Sequence, residues 1–232
     1  MVRLSTLTKC LALSLLVGTT LAAQEKWAPS FKFSTGQVMG DAKNTFVPPG
    51  SDGGSAINFG GGVELAYKLD NSSSLVYDLG YRFFPGSSAT VSFTPSTIPA
   101  SNPVVPTTYE TRVRKTESRG WNLGAKYRKD AFTEGMYWQA GIQVAFYSTL
   151  QTDTGAKTLT TGAGGAGSVT GYEAISSAVS KKTTSISPLL GLGYRFNDRY
   201  TGEINVSNAK FESTAAGSKS GQVIDLSFGI RF

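Results

Sequence analysis

Gly221-Gln222-Val223-Ile224-Asp225-Leu226-Ser227-Phe228-Gly229-Ile230-Arg231-Phe232 is the stretch whose reading decides the fold. Ile224, Leu226, Phe228, Ile230 and Phe232 are apolar at every second position, and Asp225, Ser227, Gly229 and Arg231 fall between them. Successive side chains of a strand point to opposite faces, so this segment has one oily face and one polar face. A helix would scatter the same residues around its axis.

The alternation recurs toward the N-terminus. Residues 56–69 set Ile57, Phe59, Val63, Leu65, Tyr67 and Leu69 against Asn58, Gly60, Gly62, Glu64 and Lys68. Residues 74–84 set Leu75, Tyr77, Leu79, Tyr81 and Phe83 against Asp78 and Arg82. Within 109–128, Trp121, Leu123, Ala125 and Tyr127 oppose Asn122, Gly124 and Lys126. Residues 136–150 alternate from Met136 and Trp138 to Phe146. Segments 30–38, 183–196 and 200–213 complete a set of eight with 221–232. Each is near or above the roughly 9–11 residues that a tilted strand needs to cross a bilayer.

The connections alternate in length. Residues 70–73, 129–135 and 197–199 are short and rich in turn formers. Residues 39–55, 85–108 and 151–182 are long and rich in Gly, Pro, Ser and Thr, whereas 214–220 is shorter. The composition of 85–108 and 151–182 predicts solvated, mobile loops. Short turns on one side and long loops on the other are the pattern of a transmembrane barrel. The predicted fold class is all-β: an eight-stranded antiparallel up-and-down transmembrane β-barrel. A soluble barrel would reverse the two faces, with apolar residues inside.

Leu65-Ala66-Tyr67-Lys68-Leu69, Leu123-Gly124-Ala125-Lys126-Tyr127, Leu192-Gly193-Tyr194-Arg195-Phe196 and Phe228-Gly229-Ile230-Arg231-Phe232 share one pattern. They close the four strands that descend to the short turns, and their aromatics predict an interfacial girdle. Leu79-Gly80-Tyr81-Arg82-Phe83 fits the pattern at the opposite end of an ascending strand.

Arg3 and Lys9 precede a mostly apolar run, 11–21, which is too short to span as a helix. Small residues follow, and cleavage after Ala22 or Ala23 is expected. The predicted organisation is a signal peptide over 1–23 and a barrel domain over 24–232. Cys10 falls in the first part, so the mature chain carries no thiol and no disulfide. Without Arg3 and Lys9, 20 basic residues face 16 acidic ones, a net of +4. That dispersed charge predicts no nucleic-acid partner.

The chain has no histidine. This removes the Ser-His-Asp and Cys-His nucleophile arrangements and the commonest zinc ligand. No catalytic, cofactor or metal residue is assigned, and no enzyme is expected. Carboxylate pairs could act alone, as in glycosidases. Glu64 with Asp78, or Glu203 with Asp225, lie on neighbouring strands, but packing of the interior is their expected role. The run 162–167 lacks the Gly-Lys-Ser/Thr ending of a phosphate loop.

The polar faces predict the interior. Glu64, Asp78, Glu203 and Asp225 should sit there with Lys32, Lys68, Arg82, Lys126, Arg195 and Arg231. Eight strands leave a bore that side chains fill, so these charges must pair or meet water. A charge network plugging the barrel is expected, with an ion pathway as the alternative. Tyr137, Tyr147 and Phe84 are aromatic at interior positions and fill a barrel end or line an apolar pocket.

With these features the chain resembles the small eight-stranded outer-membrane barrels of the OmpA/OmpX type, over its whole mature length. The resemblance implies a monomer in the bacterial outer membrane, among its lipids and lipopolysaccharide. It also implies that Phe228, Ile230 and Phe232 form a signal read by the barrel assembly machinery. The resemblance is to the barrel part of that type, and a periplasmic peptidoglycan-binding domain like that of OmpA is not expected. A structural or surface-interaction role is expected, with a small pore or transporter for ions or small apolar compounds as the alternative. Arg112, Arg114, Lys115, Glu117 and Arg119 continue one strand outward. The basic members are candidate partners for lipopolysaccharide phosphates.

Overall fold

The computed structural model describes residues 26–47, 56–86, 88–93, 107–131, 133–161, 168–213 and 217–232. The signal peptide assigned to 1–23 and the glycine run 162–167 lie outside them. Nine strands follow in order: β1 Trp27–Val38, β2 Ile57–Lys68, β3 Ser73–Phe84, β4 Ser88–Phe93 and β5 Thr107–Asp130, then β6 Met136–Thr161, β7 Ser168–Arg195, β8 Tyr200–Ser213 and β9 Gly217–Arg231. Consecutive strands pair antiparallel except β3 and β4, and two further pairings, β1–β9 and β3–β5, close the sheet into a ring. The decisive C-terminal stretch meets β1 with Phe33 opposite Phe228 and Phe31 opposite Ile230.

Eight strands make the ring, because β4 pairs only with β5 above the end of β3. Phe84 lies opposite Ser118 and Ser88 opposite Lys115, so one side advances four residues while the other advances three. This is a bulge, and Gly86 carries its turn at φ 62°. A Cβ on Gly86 would stand 1.6 Å from the Thr116 carbonyl oxygen.

The molecule is inside out relative to a soluble domain. Ile186 is 74% exposed, Leu190 62% and Trp121 53%, whereas Glu64, Lys126, Arg128, Glu203 and Asp225 are buried. An exposed apolar belt of this extent is stable only against lipid. The ring leaves no open backbone edge across the belt's lower half, as a hydrocarbon surround requires. Among the described residues no helix is long and apolar enough to cross a membrane; the crossing is made by strands.

Aromatic pairs mark the belt's edges. Toward the short turns lie Trp27–Tyr67, Tyr127–Trp138, Tyr194–Phe196, Tyr200–Phe228 and Phe31–Phe232, with ring centres 4.8–5.7 Å apart. Toward the loops Tyr81 meets Trp121 at 5.1 Å. From Trp138 to Phe146 on β6 the strand climbs about 27 Å, or about 21 Å along the membrane normal at barrel tilt.

The short turns are fastened by side-chain acceptors. Asp70 Oδ1 accepts from the Ser72 amide at 2.7 Å, and Oδ2 from the Ser73 hydroxyl at 2.6 Å. The Ser73 hydroxyl and then the Ser72 amide hold the Asp70 pKa down at about 2. Asn197 Oδ1 accepts from the amides of Arg199 and Tyr200.

The loop end departs from expectation. Residues 151–161 and 168–182 are not solvated loop but the outer halves of β6 and β7, and β5 begins at Thr107. β5, β6 and β7 have 24, 26 and 28 residues, against 12 in each of β1, β2 and β3. A one-sided wall of sheet therefore stands beyond the belt. Ser, Thr and Gly suit it, because a sheet wet on both faces needs ladder hydrogen bonds and no oily side.

Candidate functional site

The interior is filled in layers. Nearest the short turns is a vestibule of about 270 Å³, whose lining includes Lys68, Arg128, Asp130, Arg195 and Arg231. Arg195 Nη1 lies 2.8 Å from Asp130 Oδ1 at this mouth. Lys68 is exposed at the rim, and Arg195 and Arg231 are half-buried there.

Next comes a lattice of charges. Glu64 on β2 and Asp78 on β3 lie directly opposite each other, and Lys126 Nζ reaches both, at 3.1 and 3.0 Å. Arg128 Nη2 donates to Glu64 Oε1 at 2.7 Å and to Glu203 Oε1 at 2.8 Å. Lys32 ion-pairs with Glu64 and Glu203. Three cations thus meet three carboxylates. Tyr137 donates its hydroxyl to Glu203 at 2.7 Å, and Gln139 Nε2 donates to Glu203 and Asn205 at 3.0 and 2.6 Å. Arg128 also stands 4.5 Å from the Tyr137 ring centre.

The wall makes room for this packing where strands carry glycine. A Cβ on Gly193 would stand 2.3 Å from the Tyr137 ring, and one on Gly124 2.4 Å from the Asp78 carboxylate.

Above the lattice, a chamber of about 60 Å³ separates it from a second pair, Arg82 with Asp225, at 2.5 Å. Arg82 Nη1 also donates to the Tyr147 hydroxyl at 3.5 Å. An aromatic cap closes the loop end. Residues 39–47, after β1, form a short helical turn that places Phe46 among Phe84, Tyr147 and Phe211. Phe46 stacks on Phe84 at 5.3 Å and meets Phe211 edge-on at 4.8 Å. Tyr147 lies 5.4 Å from Phe84 and 5.0 Å from Phe211.

The sequence-predicted interior residues therefore divide. Lys32, Glu64, Asp78, Lys126 and Glu203 are brought together, Arg82 and Asp225 form their own pair, and Lys68, Arg195 and Arg231 stand at the rim. The three interior aromatics part company: Phe84 and Tyr147 join the cap, and Tyr137 belongs to the charge lattice at the other end. Arg128, Phe211 and Phe46 are not anticipated by the sequence analysis, although Phe211 shares the interior parity of Glu203 on β8. Arg128 closes the segment 109–128 and shares the parity of Lys126, so carrying the alternation to its last residue finds it. Phe46 lies in an aperiodic segment and gave no signal.

The outward basic run also divides. Arg114 grips Asp153 with two bonds of 2.9 Å, and Arg112 lies 3.7 Å from the same carboxylate. These two therefore turn to the inner side, not to the lipid. The Arg114 guanidinium holds the Asp153 carboxyl below its usual range, chiefly by hydrogen bonding. Lys115 and Glu117 pair with each other.

No protein-family model matches the chain, and no curated protein matches it. Among solved structures it is similar to Ail, the attachment invasion locus protein of Yersinia pestis. That match has 12% identity and a TM-score of 0.43, covering 89% of this chain and 98% of Ail. Neisserial surface protein A matches at 12% identity and 0.42, covering 88% and 95%. CarO of Acinetobacter baumannii matches at 12% and 0.34, covering 88% and 97%. The pairing register establishes the eight-stranded ring on its own, and these small barrels are what the chain is similar to in outline.

Proposed function

We propose that the chain is an outer-membrane anchor with a closed bore, which holds a tall sheet outside the cell as a contact surface. The observation that carries this reading is the pairing of a doubly sealed interior with strands that continue past the lipid belt. The charge lattice fills the bore toward the short turns, and the Phe46 cap closes its loop end. β5 to β7 then run on well beyond the row of Trp121, Phe146 and Thr184, as far as Thr107, Thr161 and Ser168. A transporter has no use for that investment above a blocked bore, whereas a contact protein needs rigid reach. Even strand number and the short turns support an orientation with both barrel ends on the periplasmic side and the wall outside.

Two measurements test the reading. Purified protein in planar bilayers should show no large, steady single-channel current; such currents would favour the pore. Replacing residues 152–181 by a short turn should leave the barrel assembled and reduce adhesion of expressing cells to surfaces. Unchanged adhesion would remove the contact role.

A further inference from the structure

On the lipid-facing wall, one row across three strands carries Arg119, Ser148 and Lys182. The register sets Arg119 opposite Ser148, and Ser148 opposite Lys182. The next row toward the short turns is Trp121, Phe146 and Thr184. Tyr81 leans on Trp121 from β3. These side chains border a cleft of about 350 Å³ outside the barrel, separate from the layered interior.

Several properties of this cleft point the same way. Arg119 and Lys182 are exposed, and among the described residues neither has an acidic partner within ion-pair distance. They stand two strands apart, about 10 Å between backbones, and one row above the aromatics that mark the edge of the belt. Basic groups at that height meet headgroup phosphates, and aromatic rings just below meet the start of the acyl chains. The hydroxyls of Ser148 and Thr184 lie between and beside the cations, with Ser148 Oγ 3.1 Å from Ser180 Oγ.

We propose that this cleft seats the bisphosphorylated sugar head of an outer-leaflet glycolipid, the lipid A portion of lipopolysaccharide. Arg119 takes one phosphate in the forked geometry that guanidinium favours, and Lys182 takes the other as a point charge. The flat faces of Trp121 and Phe146 support the sugar and its first methylenes. A phospholipid offers a single phosphate to two separated cations and leaves one unmet. The proposal rests on the orientation given above, with the loop end outside.

The test titrates detergent-purified full-length barrel with lipid A, dephosphorylated lipid A and phosphatidylglycerol, read by native mass spectrometry. Lipid A should bind the double variant Arg119→Glu, Lys182→Glu at least tenfold more weakly than the unaltered protein. The variant Lys129→Glu, Arg199→Glu, at the turn end, should bind as the unaltered protein does. If charge reversal prevents folding, Arg119→Gln with Lys182→Gln should still weaken binding at least threefold. Equal affinity across the variants overturns the site. Equal affinity of the unaltered protein for dephosphorylated lipid A or for phosphatidylglycerol overturns the choice of ligand. Failure of the unaltered protein to insert into vesicles would instead overturn the membrane reading.

Discussion

Glu203 accepts from Lys32, Arg128, Tyr137, Gln139 and Asn205 at once. A carboxylate so placed cannot be neutralised without stranding the cations around it, and breaking one member of a buried ion pair typically costs about 3–5 kcal/mol. Glu203→Gln should therefore lower resistance to denaturant by an amount in that range, while Lys68→Ala at the exposed rim should change it by less than about 0.5 kcal/mol. Urea titration in lipid vesicles reads the difference, and equal midpoints would show that the lattice adds nothing. Gly193→Val tests the same packing from the wall: its side chain must displace the Tyr137 ring, so the variant should lose stability comparably. All of this lattice's charges but Arg128 were legible in the alternation of strands, because parity alone sorts inner from outer residues. The aromatic cap was not, because Phe46 is brought to the bore by a turn that no period in the sequence announces.

At the scale of the element, β5 to β7 outlast their neighbours. Sequence pattern located where each strand crosses the membrane, because lipid demands an apolar residue at every second position. Beyond the belt that demand ends, and a run such as Thr152-Asp153-Thr154-Gly155 reads as loop although it pairs residue for residue with β5 and β7. Here pairing is assisted by ions. Asp153 has its pKa lowered by Arg114, so the folded wall holds fewer protons than the unfolded chain near the unfolded carboxyl pKa of about 4. The stabilisation is complete above that pH and disappears as pH falls through the lower, folded value. The wall should accordingly become susceptible to an acid-active protease below about pH 4, while the belt stays protected. Asp153→Asn should be cut more readily at neutral pH and should show a smaller further increase on acidification. A variant that keeps the full acid response would detach this pair from the stability of the wall.

The molecule as a whole closes by joining its ends: β9 pairs with β1 along nine positions, from Ser30–Arg231 to Val38–Val223. The proposed assembly signal lies in that seam, with Phe232 set edge-on to Phe31 at 5.3 Å. Deleting Phe232 should slow insertion in cells severely, yet leave folding into synthetic vesicles nearly intact. Heat-modifiable mobility on gels distinguishes the two, and equal impairment in both settings would reduce Phe232 to a packing residue. The unequal strand lengths have a different consequence for the whole. A plain cylinder looks the same from every direction in the plane of the membrane, but among the described residues this one carries its parapet on the β4–β7 arc. The protein therefore has a front and a back. Among the described residues, a neighbour drifting in from the β8, β9, β1 and β2 side meets strands that end near the level of the Phe46 cap, and one arriving from the opposite side meets a screen.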